Sequence, residues 1–207
     1  MGQPLATVSQ IDVALRRLTQ PRVHRTQELS IEFGRDKLPG SLVLSLGLRE
    51  TWLRNILGGA KQVGGRWVGL DPETDWAEMD AGALQISKRY HKDALLEMEG
   101  ALSGTWALIE GANAYDKGFV PTFRDAVPFV LQEMADSLDF ARAQEVPESM
   151  RQRFAVAAHN AGRGGALSGF RAGDIDRNTA GGDYSSWVLD ANGKVQHWLE
   201  AHLNWKI

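Results

Sequence analysis

Apolar and polar positions alternate along this chain with a mainly helical period. Ile11, Ala14, Leu15 and Leu18 follow the i, i+3, i+4, i+7 spacing of one helix face. Ser9-Gln10-Ile11-Asp12 reads as a capping box opening that helix, and Pro21 ends it. A second helix is predicted from Pro39, a proline suited to a first turn, to the Gly58-Gly59 stop. Its inner seam is Val43, Leu46, Glu50, Leu53 and Leu57, so one carboxylate interrupts an otherwise apolar stripe. Residues 63–80 are rich in glycine and aspartate and read as loop, with Arg66-Trp67-Val68 as a short strand. A short helix is expected over Ala83 to Tyr90. Thr122 with Asp125 opens a long helix to about Ala143, with Val127, Val130, Met134, Leu138 and Ala141 facing inward and Pro128 near the first turn. Glu148 to Asn160 reads as a further helix on Met150, Phe154 and Ala157, ended by Gly162, Gly164 and Gly165. A last helix covers Tyr184 to Leu203, weakened at Asn192-Gly193. This pattern implies an α+β class, predominantly α-helical with a small β element. The expected division is an N-terminal helical arm over 1–37 and a main domain over 38–207.

Composition narrows the function classes. The 207 residues can bury a sizeable core in one domain plus a short arm. With 23 basic and 26 acidic residues the net charge is -3, so a general nucleic-acid or membrane-surface binder is not expected. Arg16, Arg17, Arg22 and Arg25 make the N-terminal arm locally basic, which reads first as a solvated face. There is no cysteine, hence no disulfide framework. No apolar run approaches the ~20 residues of a membrane span. Met1 to Gln10 lacks the charged and apolar regions of a secretory signal. His24, His91, His159, His197 and His202 show no metal-ligand spacing. No metal and no cofactor is therefore expected. The glycines after Phe154 are similar to a dinucleotide loop only superficially, because the strand–turn–helix that such a loop needs is missing.

Candidate chemistry centres on Glu50. A carboxyl set among apolar neighbours holds its proton more tightly, which a general acid working near neutral pH requires. The structural alternative is an ordinary helix pair with Arg54. Asp71, Asp75 and Asp80 follow on a loop. One of them could activate water across a cleft, as an inverting glycosidase requires. Loop aspartates also cap turns, so that alternative stays open.

Four segments in order carry a resemblance. They are Leu48-Arg49-Glu50-Thr51, the run Ala81 to His91 (Ala-Gly-Ala-Leu-Gln-Ile-Ser-Lys-Arg-Tyr-His), Ala158-His159-Asn160-Ala161-Gly162, and Gly182-Asp183-Tyr184-Ser185. Together they resemble goose-type lysozymes and the related soluble lytic transglycosylases over roughly residues 40 to 200. The resemblance implies a lysozyme-like fold and cleavage of the β-1,4 bond between N-acetylmuramic acid and N-acetylglucosamine in peptidoglycan. Glu50 would be the catalytic acid, Asp75 would hold the attacking water, and Asp71 would be the reserve choice. Gln85, His91, His159, Asn160 and Tyr184 would line the sugar groove, although Asn160 could simply cap a helix end and Gln85 could satisfy buried backbone. The chain departs from the family pattern at Thr51 (family serine), at His159 (family tyrosine), and at Ser87, where goose-type enzymes carry an aspartate that helps hold water. The expected activity is thus that of a muramidase. A lytic transglycosylase and a catalytically silent wall-binding or phage structural protein are the alternatives. The expected partner is the peptidoglycan glycan strand, acted on by a monomer. The expected setting is a phage lysin made in the host cytoplasm without a signal peptide and released by a pore-forming partner.

Overall fold

A computed structural model of the chain describes residues 3–17, 38–54, 56–71, 74–98, 100–102 and 119–203. The expected helix stop at Pro21, the basic residues Arg22 and Arg25, and His24 lie outside the described residues, as does most of the segment from Leu95 to Phe119. The helices are α1 (Val8–Arg17), α2 (Gly40–Thr51), α3 (Lys92–Glu97), α4 (Phe123–Ala143), α5 (Glu148–Arg171) and α6 (Tyr184–Leu203). The strands are β1 (Leu57–Gly58), β2 (Ala60–Val63), β3 (Arg66–Gly69), β4 (Asp80–Ala81), β5 (Ile86–Ser87), β6 (Gly100–Leu102) and β7 (Phe119–Pro121). All strand pairing among the described residues is antiparallel. The class is α+β, mostly helical with a small antiparallel sheet, as the periodicity implies. No described helix is long and apolar enough to cross a membrane.

The chain forms two compact units, residues 1–49 with 130–207, and residues 50–129. In the first unit, α5 and α1 both pack on α6. Residues 154–158 of α5, Phe-Ala-Val-Ala-Ala, are buried without interruption. A helix segment buried on every face is enclosed by its neighbours, and the alanines let those neighbours approach closely. Phe154 stacks on Phe140 of α4 with ring centroids 6.1 Å apart. Ala141, Val146, Ala166 and Ile175 close this cluster.

Helix α1 belongs to this unit. Ile11, Ala14 and Leu15 are fully buried. The Trp187 indole N–H donates to Pro4 O (2.8 Å), and Lys194 Nζ donates to Ala6 O (2.8 Å). Its capping box lies two residues earlier than expected. Thr7 N–H donates to Gln10 Oε1 (2.9 Å), and Gln10 N–H donates to Thr7 Oγ1 (3.2 Å). Asp12 is thereby released to pair with Arg16 and to accept from Trp198 Nε1 at 2.7 Å.

Two helix ends differ from expectation for a backbone reason. Trp52 and Leu53 both take positive φ, 56° and 59°, and α2 stops at Thr51. Leu53 and Leu57 therefore leave the helical seam, and Leu57 becomes part of β1. In α5 the glycines bend the helix and do not end it. Gly162 sits at φ 70°, ψ 161°, and the helix resumes to Arg171. No side chain crowds Gly162, so glycine is needed there for its left-handed backbone alone. Helix α6 runs through Asn192-Gly193 without a break.

The second unit carries the sheet. Strand order is β1-β4-β5, with a separate β2-β3 hairpin and a β6-β7 pair. The hairpin turns on Gly64-Gly65, both at positive φ. The expected helix over Ala83 to Tyr90 is instead a turn followed by β5, and the short helix starts later, at Lys92. Strand pairing of Ile86 and Ser87 with β4 overrides the local helical pattern here.

Candidate active site

Glu50 occupies the last turn of α2 and is half-buried. The chain then reverses at once. Two successive non-glycine residues in the left-handed region cost about 1–2 kcal/mol each, and such strain collects at functional sites. The reversal is pinned by Thr51, whose hydroxyl donates to Ala83 O at 3.0 Å. Arg54, the helix-pair alternative for Glu50, donates its Nε to Thr51 O at 3.0 Å. Thr51 thus ties the helix end to the turn before β5.

That turn carries Gln85 at φ 49°. Its Nε2 donates to Gly82 O (2.8 Å) and Ile56 O (3.2 Å), which orients the amide. Its Oε1 lies against Gly58: a Cβ built on Gly58 would meet it at 2.2 Å. Glycine at 58 is therefore required by this close approach. The backbone-satisfying role weighed for Gln85 is what its amide nitrogen performs.

The β1-β4-β5 sheet places Asp80 opposite both Gly58 and Ser87. Residues directly opposite in antiparallel strands project to one face. Asp80 is a half-buried carboxyl hydrogen-bonded by Ser87. Burial pushes its pKa up from 3.8 to about 6, and the charge of Glu50 adds to the rise against the opposing Ser87 bond. Glu50 and Asp80 are thus a carboxylate pair within electrostatic reach of each other. Lys88, next in the chain after Ser87, is fully buried, and burial draws its ammonium down to about 8.

Asp75 and Asp71 have a different setting. Both Asp75 oxygens accept from Lys61 Nζ at 2.6 Å, and Oδ2 also accepts the Asp71 backbone N–H at 3.0 Å. The Lys61 bond, helped by that N–H, holds the Asp75 carboxyl below the usual carboxylate value. This arrangement closes a turn at 71–75, the role weighed above for loop aspartates. Asp80 was visible in the sequence with the other two. Its cross-strand partner Ser87, one of the positions that depart from the family pattern, was the signal that could have singled it out.

The remaining groove candidates divide between the units. In residues 50–129, His91 lies edge-on to Phe129 with ring centroids 4.9 Å apart and precedes α3. In the other unit, Asn160 Oδ1 accepts from the Ala180 N–H at 2.8 Å, and His159 is half-buried. Tyr184 is only 2% exposed, with the Arg49 guanidinium 5.5 Å from its ring centre. That burial makes Tyr184 a packing residue in place of an open sugar platform. Arg49 also stacks on Trp187 and donates to Asp183 Oδ1 (3.0 Å) and Ala180 O (3.1 Å). The arginine beside Glu50 in sequence thus anchors the start of α6. Among the described residues no group of three or more histidines and carboxylates is placed to hold a metal ion.

Compared with known proteins, the chain matches no family model and no curated protein.

Proposed function

We propose that this chain is a peptidoglycan glycosidase with a lysozyme-like fold of the goose type, and that Glu50 is its general acid. The observation that carries the reading is the carboxylate pair. Glu50 lies in the last turn of a helix whose residues 41–48 are buried, and its charge bears on a second, partly buried carboxylate, Asp80, on an antiparallel sheet. Two carboxyl groups with different surroundings are what acid-assisted glycoside cleavage uses. The four-segment resemblance around Glu50, Gln85, Asn160 and Tyr184 supports the wall polysaccharide as substrate.

In this mechanism the protonated Glu50 gives its proton to the glycosidic oxygen as the bond to the anomeric carbon breaks and positive charge builds there. In residues 50–129 the amide of Gln85 and the imidazole of His91 suit hydrogen bonding to N-acetyl and hydroxyl groups, and in the other unit His159 and Asn160 carry the same chemistry. The lytic transglycosylase reading is favoured by one observation, the serine at 87 in place of an aspartate. The sugar's own 6-hydroxyl would then attack and Glu50 alone would move the proton. The neighbouring Asp80 favours hydrolysis.

The test is loss of turbidity of purified cell walls. Wild type should clear them, and Glu50→Gln should be slower by about 100-fold or more. Equal clearing by both would remove Glu50 from the mechanism.

A further inference from the structure

Three polar groups lie in a row across the three-stranded sheet of the second unit. Asp80 is central. Ser87 is directly opposite it on β5, and its hydroxyl donates to the carboxylate. Gly58 is opposite on β1, and the volume its side chain would fill holds Gln85 Oε1. Because opposed residues share a face, the Gln85 carbonyl oxygen, the Asp80 carboxylate and the Ser87 hydroxyl sit side by side. The Gln85 amide is fixed in this sense by its two N–H bonds to Gly82 O and Ile56 O. The charge of Glu50, in the last turn of α2, bears on Asp80.

A water molecule that attacks carbon must present a lone pair forward, so it donates its two protons backward. It needs two acceptors side by side, and one of them must be basic enough to take a proton. Asp80 and Gln85 Oε1 form such a pair, while Ser87 supplies a donor that holds the carboxylate in place. Asp75 is committed to Lys61 and to the backbone of the 71–75 turn.

We propose that Asp80 is the base that holds and deprotonates the attacking water, with Gln85 Oε1 as the second acceptor and Ser87 as a positioning residue. The proposal rests on the glycosidase reading and deepens it. The carboxylate absent at position 87 is supplied from the facing strand, and the reaction is hydrolysis. The C1–O bond breaks with its electron pair on the leaving oxygen, which takes the Glu50 proton. The water oxygen bonds to the anomeric carbon on the opposite face, and its proton passes to Asp80. The products are a reducing end and a free hydroxyl. Solvent then returns a proton to Glu50 and takes one from Asp80.

The experiment compares wild type, Asp80→Asn and the exchange variant Asp80→Ser/Ser87→Asp on purified peptidoglycan. It reads initial rates from pH 4 to 8 and the masses of the released fragments. Wild type should release reducing-end fragments. Asp80→Asn should lose about 100-fold or more. The exchange variant should recover about tenfold or more of that loss, because the carboxylate stays on the same sheet face. An Asp80→Asn rate close to wild type, or wild-type products that are all anhydro, would overturn the role of Asp80 and leave Glu50 as acid. No fragments from wild type would overturn the glycosidase reading itself and this proposal with it. A thermal melt of each variant separates lost chemistry from lost fold.

Discussion

The carboxyl of Asp80 titrates near pH 6 in the folded chain and near 3.8 as a free aspartate, chiefly because it is buried, with Glu50 adding to the effect. A raised acid pKa means that the folded state binds the proton more tightly than the unfolded state. The resulting stability is fully present below about pH 3.8 and is lost as pH rises through about 6. At neutral pH the ionised group then costs about 3 kcal/mol. Asp80→Asn should therefore melt several degrees above wild type at pH 7.5, while at pH 4 the difference should vanish. A melting temperature lowered at both pH values would mean that the carboxylate supports the fold. Asp176 behaves in the opposite way. It is 1% exposed, and burial alone would raise its pKa, yet the Ser185 hydroxyl and backbone, Arg153 and Ser186 together lower it. Its contribution is present above the ordinary carboxylate value near 3.8 and is lost as pH falls through its depressed folded value. Asp176→Asn should cost about 3 kcal/mol at pH 7 in a denaturant titration, with the difference shrinking in acid. Sequence reading singled out Glu50 because a carboxylate interrupts an apolar helical seam and because the four-segment resemblance falls on it. It passed over Asp80 because β4 is two residues long and its partners come from 58 and 87. A pairing that short leaves no alternating pattern to read.

At the scale of elements, long periodic helices were legible and their ends less so. Thr122 caps α4, with its Oγ1 3.3 Å from the Asp125 N–H, and the inward stripe from Val127 to Ala141 is buried as the spacing predicts. The end of α2 was misplaced because nothing in Trp52-Leu53 announces two left-handed residues. The glycines of α5 were read as a stop because glycine marks both helix ends and bends. Gly162→Ala should force a side chain into the left-handed region and cost about 1–2 kcal/mol by denaturant midpoint. An unchanged midpoint would mean that α5 straightens there. Gly58→Ala should instead act on the candidate site, because the new methyl meets Gln85 Oε1. A rate loss larger than the accompanying stability loss is expected, read as initial rate beside thermal melt.

For the whole molecule, sequence reading set residues 1–37 apart as an arm, and α1 belongs to the unit containing α5 and α6. Arginines dominate the local composition, while Ile11, Ala14 and Leu15 are the residues that decide its place. Leu15→Ala should cost about 2–5 kcal/mol. Deleting residues 1–17 should lower the melting temperature, and the loss should not depend on salt as loss of a purely electrostatic wall contact would. The α+β class followed from counting helical periods, whereas the proposed reaction rests on a few side chains at short strands and one helix end. The most direct test of the central claim is mass spectrometry of fragments released from purified peptidoglycan by wild type and by Glu50→Gln. The account predicts reducing-end fragments from wild type, one water heavier than their anhydro counterparts, and about 100-fold fewer from Glu50→Gln in the same time. Similar amounts from both proteins, or fragments from neither, would contradict it.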